Sequence, residues 1–284
     1  SQEADRKIQP GEYELNAAMP PADILSKLLA GRVLLHAVTI PEGYTVNQIA
    51  DVLEAQRITS RAEFLGLASD KSFMKTLGIA AETVEGYLFP DTYRFARGTP
   101  AKDVVRTMVD QLGRIMTEEW RARAKDMNLT IHQVLTLASV IEKETGSGDE
   151  RPHISSVFHN RLKKRIPLQS DPTVIYGLPN FDGNLRKNDL SYPGPYNTYR
   201  WAGLPPGPIA SPGADSIRAA LYPATSKYLY FVSRNDGTHH FSATLMEHNR
   251  AVEKYQKRPF RRKTSSQTSV APGDNDLTHR KGVS

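Results

Sequence analysis

The chain has 284 residues, 39% of them hydrophobic and 24% charged, with no cysteine and a formal charge of +6. That length suits one large domain or two ordinary ones, and a mean hydropathy of -0.49 describes a polar, globular chain. Disulfides and thiolate metal sites are excluded outright, and no apolar run approaches the roughly 18 residues of a membrane span. The charge is unevenly placed. From Lys257 onward seven basic side chains stand against two acidic ones, so this tail carries +5 and the other 256 residues +1. A nucleic-acid face spread over the fold is therefore not expected. The cluster KRPFRRK reads as part of a solvated tail.

Residues 1–7 read as a linker remnant, and 8–15 (IQPGEYEL) as a short strand after a turn. Pro20 and Pro21 open a helix with Ile24, Leu25, Leu28 and Leu29 as its buried stripe and Gly31 at its end. A β-branched run follows over 33–40, then the turn Pro41-Glu42-Gly43. Thr45 with Gln48 forms a capping box that starts a helix through Leu53, and Ser60 with Glu63 caps another. The segment 85–93 (EGYLFPDTY) mixes three aromatics with turn residues. It suits the floor of a sugar site or a core contact equally well. From 102 to 124, Val105, Met108, Val109, Leu112, Ile115, Met116 and Trp120 recur at helical spacing and predict one long amphipathic helix.

A capping box, Thr130 with Gln133, opens the next helix, and Gly146 suits a left-handed stop. Between them Ile131, Val134, Leu135, Leu137, Ala138, Val140 and Ile141 leave no wet stripe, which predicts burial. Glu142 and Glu144 sit in its last turn. Burial and the negative helix end both disfavour a charged carboxylate, so either glutamate, if buried, is a candidate general acid. The competing expectation is a pair of surface glutamates bridged to Lys143 or Arg151. On spacing alone both glutamates stay open, although Glu144 shares the face of Leu137 and Ile141.

A helix over 154–162 comes next. Residues 167–215 are rich in Pro, Gly, Asn, Ser and Tyr, and read as a long ordered loop region lining a cleft. A short helix over 216–221, a strand over 228–233, an Asn235-Asp236-Gly237 hairpin turn into 238–241 and a helix capped by Thr244 and Glu247 complete the folded part. Beyond Pro259 the Ser/Thr-rich tail is expected to be disordered. No phosphate-binding glycine loop, serine nucleophile elbow or histidine pair at ligand spacing occurs, so no metal or cofactor is expected. His239 and His240 are adjacent on a strand and point to opposite faces. Asp171, Asp182 and Asp189 are candidates for the second carboxylate of an ordinary glycosidase, Asp171 reading more simply as a turn former before proline.

Read in order, PEGYTVNQIAD, VEGYLFPDTYRF, LASVIEKETG, SSVFHNRL, LQSDPTVIYGL, YNTYRWAGLPPGPIASPGADSIRAAL, YLYFVS and FSATLMEHNRAV resemble the MltG-type (YceG-like) endolytic murein transglycosylases from about Gly11 to Tyr255. The resemblance implies an α+β fold. A small LysM-like N-terminal region (8–84) would pack on a catalytic domain (85–257) with long ordered loops, followed by the disordered tail (258–284). It implies cleavage within peptidoglycan glycan strands at the MurNAc–GlcNAc bond, leaving 1,6-anhydroMurNAc ends. It also implies an N-terminal cytoplasmic-membrane helix preceding this chain, a catalytic part on the extracytoplasmic side, and peptidoglycan synthases as partners. It selects Glu144, the second glutamate of EKET, as the catalytic acid, and places Asn160, Gln169, Ser170, Asp171, Tyr196, Asn197 and Thr198 around the cleft. The alternatives are a muramidase that hydrolyses the same bond with a second carboxylate such as Asp171, and a non-catalytic peptidoglycan-binding scaffold.

Overall fold

The structure is a computed structural model and describes residues 11–258. Residues 1–10 and the tail from Pro259 onward lie outside the described residues. The fold is α+β, its described residues falling into two compact units, 11–227 and 228–258.

In the first unit α1 (Pro21–Leu29) leads to β1 (His36–Thr39), followed by α2 (Val46–Ala55), α3 (Arg61–Ala68) and α4 (Lys71–Thr76). β2 (Thr92–Phe95) then returns antiparallel to β1, with Val38 opposite Tyr93. The capping boxes and caps form as expected. Gln48 N–H donates to Thr45 Oγ1, and Glu63 N–H to Ser60 Oγ. Two expectations fail here. No strand forms over 11–15, where the bond from Leu34 N–H to Glu12 O is not continued as a ladder. α1 forms, but its apolar stripe is not buried: Leu25 is 45% and Leu29 39% exposed. Periodicity fixes which residues share a face, not whether another element covers it. The aromatics of 85–93 go into the core, with Tyr87, Phe89 and Tyr93 all buried.

The long helix expected over 102–124 is two, α5 (Ala101–Ile115) and α6 (Glu118–Asp126). Thr117 caps the second by accepting Trp120 N–H, so the apolar rhythm carries across a break it does not reveal. α7 (Ile131–Glu144) is the axis of the unit, with Val134 to Ile141 buried without interruption. Against it pack α6, α8 (Arg151–Lys164), α9 (Asp171–Gly177) and α10 (Ala214–Leu221). α9 corrects the reading of 167–215 as loop throughout. Pro172 sits in the first turn of that helix, where its missing N–H costs nothing.

The Pro-rich stretch 205–213 runs along α7 as a strap. His132 Nε2 donates to Pro206 O (2.9 Å), Ile209 N–H to Ser139 Oγ (3.0 Å), and Gly213 N–H to Glu142 Oε2 (3.0 Å). Since the carbonyl can only accept, Nε2 carries the proton and Nδ1 accepts from Tyr87 O–H (2.9 Å). Three polar side chains of the buried helix, His132, Ser139 and Glu142, are thus engaged in holding the strap. Glycine at position 146 is not left-handed. The chain leaves α7 through an extended Thr145, whose Oγ1 accepts Ser147 N–H and turns the backbone without a positive φ.

The second unit holds β3 (Tyr230–Ser233) and β4 (His239–Ser242), an antiparallel hairpin with Phe231 opposite Phe241. Asn235 and Gly237 take positive φ in its turn (63° and 87°). α11 (Leu245–Val252) follows, opened by the Thr244–Glu247 capping box. His239 meets Phe231 and His240 meets Tyr255, as their opposite faces require.

Candidate active site

The last turn of α7 sends three neighbouring side chains to three different partners. Glu142 accepts from Arg151 (3.3 Å) as well as from Gly213 N–H; Arg151 is a partner the surface-glutamate expectation named, but both side chains of the pair are buried. Lys143 reaches Gly43 O (3.2 Å). Glu144 Oε1 accepts a short hydrogen bond from Ser170 Oγ (2.5 Å). As a residue Glu144 is half-buried, but protein encloses its carboxyl. Desolvation pushes its pKa up to about 7; the Ser170 hydroxyl pulls it down, and the negative charge of Asp171 adds to the rise.

Ser170 is 1% exposed and fixed from several directions. Its N–H donates to Thr198 Oγ1 (3.0 Å), and Gln169 N–H donates to Thr198 O (3.0 Å). Thr173 Oγ1 donates to Ser170 O and stands 2.8 Å from Thr198 Oγ1. Upstream, the buried Arg161 gives Nη1 bonds to Pro167 O, Leu168 O and Gln169 Oε1, which set the turn entering α9. Gln169 takes φ 53° in that turn. Asp171 accepts from Tyr199 O–H (2.5 Å), and burial with this bond pushes the Tyr199 phenol well up.

Of the residues expected around the cleft, Gln169, Ser170, Asp171 and Thr198 gather with Glu144. Asn197 lies behind them, its amide bonded to Leu190 O and Tyr192 O and its Oδ1 accepting Tyr199 N–H. Tyr196 packs on Tyr176 (4.9 Å between centroids), and Asn160 donates to Ser226 O (3.1 Å). Asp182 and Asp189 both bond Arg186 and fold their own loop. Among the described residues no cluster of three His, Asp or Glu side chains has a metal-holding arrangement.

A second buried carboxyl, Glu85, had no role in the sequence reading. It is 4% exposed and accepts from Val46 N–H (3.1 and 3.2 Å) and Tyr176 O–H (3.2 Å). Burial pushes its pKa up to about 7 against those bonds. Its signal was a charged residue beside a glycine in an apolar segment. Gly86 has φ 80°, and a Cβ there would lie 2.3 Å from Pro208 Cβ, so the strap closes directly over it. Tyr199, in YNTY, was missed for a different reason, because only the fold brings it to Asp171.

The geometry offers one carboxyl able to hold and release a proton near neutrality, a hydroxyl aimed at it, and aromatic and amide groups beside it. Comparisons with known proteins agree on where such a chain belongs. The "Endolytic murein transglycosylase" of Bacillus subtilis is 37% identical over 264 residues, covering 87% of this chain and 73% of that protein. The protein of the same name from Streptococcus pneumoniae is 30% identical over 281 residues, and the chain spans about half (51%) of its length. The crystal structure of a yceG-like protein from Listeria monocytogenes superposes with a TM-score of 0.70 at 37% identity, over 88% of this chain and 86% of that one. The pattern of the YceG-like family runs through residues 1–254, and with relatives of this identity and coverage the chain belongs to that family.

Proposed function

We propose that this chain is an endolytic lytic transglycosylase of peptidoglycan, with Glu144 as its single general acid and base. The observation that carries the reading is Glu144 itself: a carboxyl in a desolvated setting at a helix C-terminus, near half-protonation at neutral pH, and oriented by Ser170. The names of the Bacillus and Streptococcus relatives support the same activity. Protonated Glu144 donates to the glycosidic oxygen between MurNAc and GlcNAc as the C1–O bond breaks through an oxocarbenium-like state. The GlcNAc side leaves with a free hydroxyl. The MurNAc 6-hydroxyl attacks C1, and its proton passes to the Glu144 carboxylate, restoring the acid. A 1,6-anhydro end is left and no water is consumed. The nucleophile belongs to the same sugar, which gives it a large entropic advantage over water. Ser170 steadies the carboxylate formed between the two proton transfers.

The remaining assignments rest on family membership. Residues 8–84 form a LysM-like glycan-binding region, and the catalytic part works outside the cytoplasmic membrane, anchored by a helix preceding this chain and beside peptidoglycan synthases. The test is mass analysis of products from purified glycan strands. Parent protein should give internal cuts with anhydro ends, and Glu144→Gln none. Products heavier by one water identify a muramidase, and binding without cleavage identifies a scaffold.

A further inference from the structure

A groove of about 570 Å³ lies between the start of α2 and α9, its lining including Asn47 and Gln48 of α2, Lys143 of α7, and Pro172, Ile175 and Tyr176 of α9. Lys143 is the chain neighbour of Glu144, and Pro172 follows two residues after Ser170, so two lining residues neighbour the acid and its hydroxyl partner along the chain. Apart from the Thr45 hydroxyl, which accepts Gln48 N–H, its polar side chains present donors. Gln48 Oε1 accepts Thr45 N–H (2.9 Å), and Asn47 Oδ1 accepts from the Arg61 guanidinium (3.0 Å). Both partners can only donate, which fixes the amide orientations and leaves both NH2 ends without a protein partner among the described residues. The Lys143 ammonium has three hydrogens and gives one, to Gly43 O. The groove therefore presents two amide donors and a cation beside the Thr45 hydroxyl, flanked by one aromatic and three aliphatic side chains, Pro172, Ile175 and Ile209.

A donor-rich, positively charged groove fits an acceptor-rich, anionic ligand. Resting on the transglycosylase reading, we propose that it is the subsite for the lactyl-peptide arm of the MurNAc residue being cleaved. That arm is a run of amide carbonyls with carboxylates. It is attached to the sugar whose C1 reacts, so whatever reads it must stand next to the catalytic acid, as Lys143 does. Bare N-acetylglucosamine chains lack the arm, so the groove makes the enzyme prefer peptide-bearing strands.

The test is the double variant Asn47→Asp with Gln48→Glu. Both changes keep the acceptors that hold Arg61 and Thr45, the second keeps the capping box, and each replaces an NH2 donor by a carboxylate. In a Glu144→Gln background, calorimetry with muramyl dipeptide should show at least a tenfold loss of affinity, and at least five times more loss than with chitotetraose. On active enzyme, kcat/KM should fall at least tenfold more on peptide-bearing strands than on strands stripped by an amidase. Lys143→Met should show the same selectivity. Equal losses on both ligands, or no loss on the muramyl peptide, overturn the proposal. If the parent cleaves neither strand, the transglycosylase reading fails, and the binding comparison still decides the subsite.

Discussion

Ser170→Ala isolates the link between the buried hydroxyl and the acid. Ser170 donates to Glu144 Oε1 at 2.5 Å and is 1% exposed, so water has little room to take the place of its hydroxyl. A hydrogen bond to a charged acceptor contributes about 1.5–3 kcal/mol and one to a neutral acceptor about 0.5–1.5. The charged form of Glu144 therefore loses about 1 kcal/mol more than the neutral form when the hydroxyl goes. That difference raises the pKa by about one unit, from the present value of about 7. The assay is the pH profile of kcat/KM for anhydro-product formation between pH 5 and 9. In the parent the alkaline limb falls as Glu144 loses its proton near pH 7. In the variant the limb should move to about pH 8, so the protonated fraction at pH 8 rises from about one tenth to about one half. The ceiling of the profile drops because the carboxyl is less well oriented, but the position of the limb is independent of that drop. A limb that stays in place or moves to lower pH refutes the link.

Three further outcomes follow from the same geometry. Glu144 has a folded pKa raised from 4.5 to about 7, so the stability tied to its neutral form is complete below about pH 4.5 and is lost as pH rises through 7. Glu144→Gln should therefore be more heat-stable than the parent at pH 8, by about 1–2 kcal/mol after discounting for partial exposure, with the gap closing at pH 4.5; a calorimetric gap independent of pH contradicts this. Gly86→Ala puts a Cβ at φ 80° and 2.3 Å from Pro208, and should lower unfolding free energy in urea by about 2–3 kcal/mol and weaken cleavage together, as the strap lifts from position 86. Arg151→Met strips Glu142 of its cation at 3.3 Å in a site where both side chains are at most 10% exposed, and should cost about 3 kcal/mol. Adding Glu142→Gln should recover much of that loss; a double variant no more stable than the single one breaks the pairing.

What was legible in the sequence was local. The capping boxes at Thr45, Thr130 and Thr244 bond residues three apart, and the Asn235-Asp236-Gly237 turn closes on itself, so four or five letters suffice to announce them. The burial of α7 was legible because its apolar residues leave no polar face. The site itself was less so. Glu144 and Ser170 are 26 positions apart, Glu85 and Val46 39, Ser139 and Ile209 70, and Glu85 and Tyr176 91. No spacing rule connects them, and physics alone left Glu142 and Glu144 equivalent. What separates them is which neighbour each finds: an arginine for one, a buried hydroxyl for the other. The same limit explains α1 and the break at Thr117, where periodicity is present but its partner or its interruption is not written locally.

α9 shows why the placement of Ser170 is a property of the whole unit. A seven-residue helix, about 10 Å long, has no stability of its own. Its start is held by Ser170 and Asp171, which engage Glu144 and Tyr199, and its far end by Tyr176, which engages Glu85. Between them Thr173 ties it to Thr198. Both acids at its ends are desolvated and titrate near 7, so neither end is fixed by a permanent ion pair. The proposed catalytic acid sits at the end of α7, the helix buried continuously from Val134 to Ile141. The hydroxyl that orients it sits on a strut whose two anchors respond to the same protons. As pH rises through 7 the acid loses its proton, while the Ser170 and Tyr176 hydroxyls come to donate to charged carboxylates, so proton donation fades over the interval in which the hydrogen bonds that seat α9 strengthen.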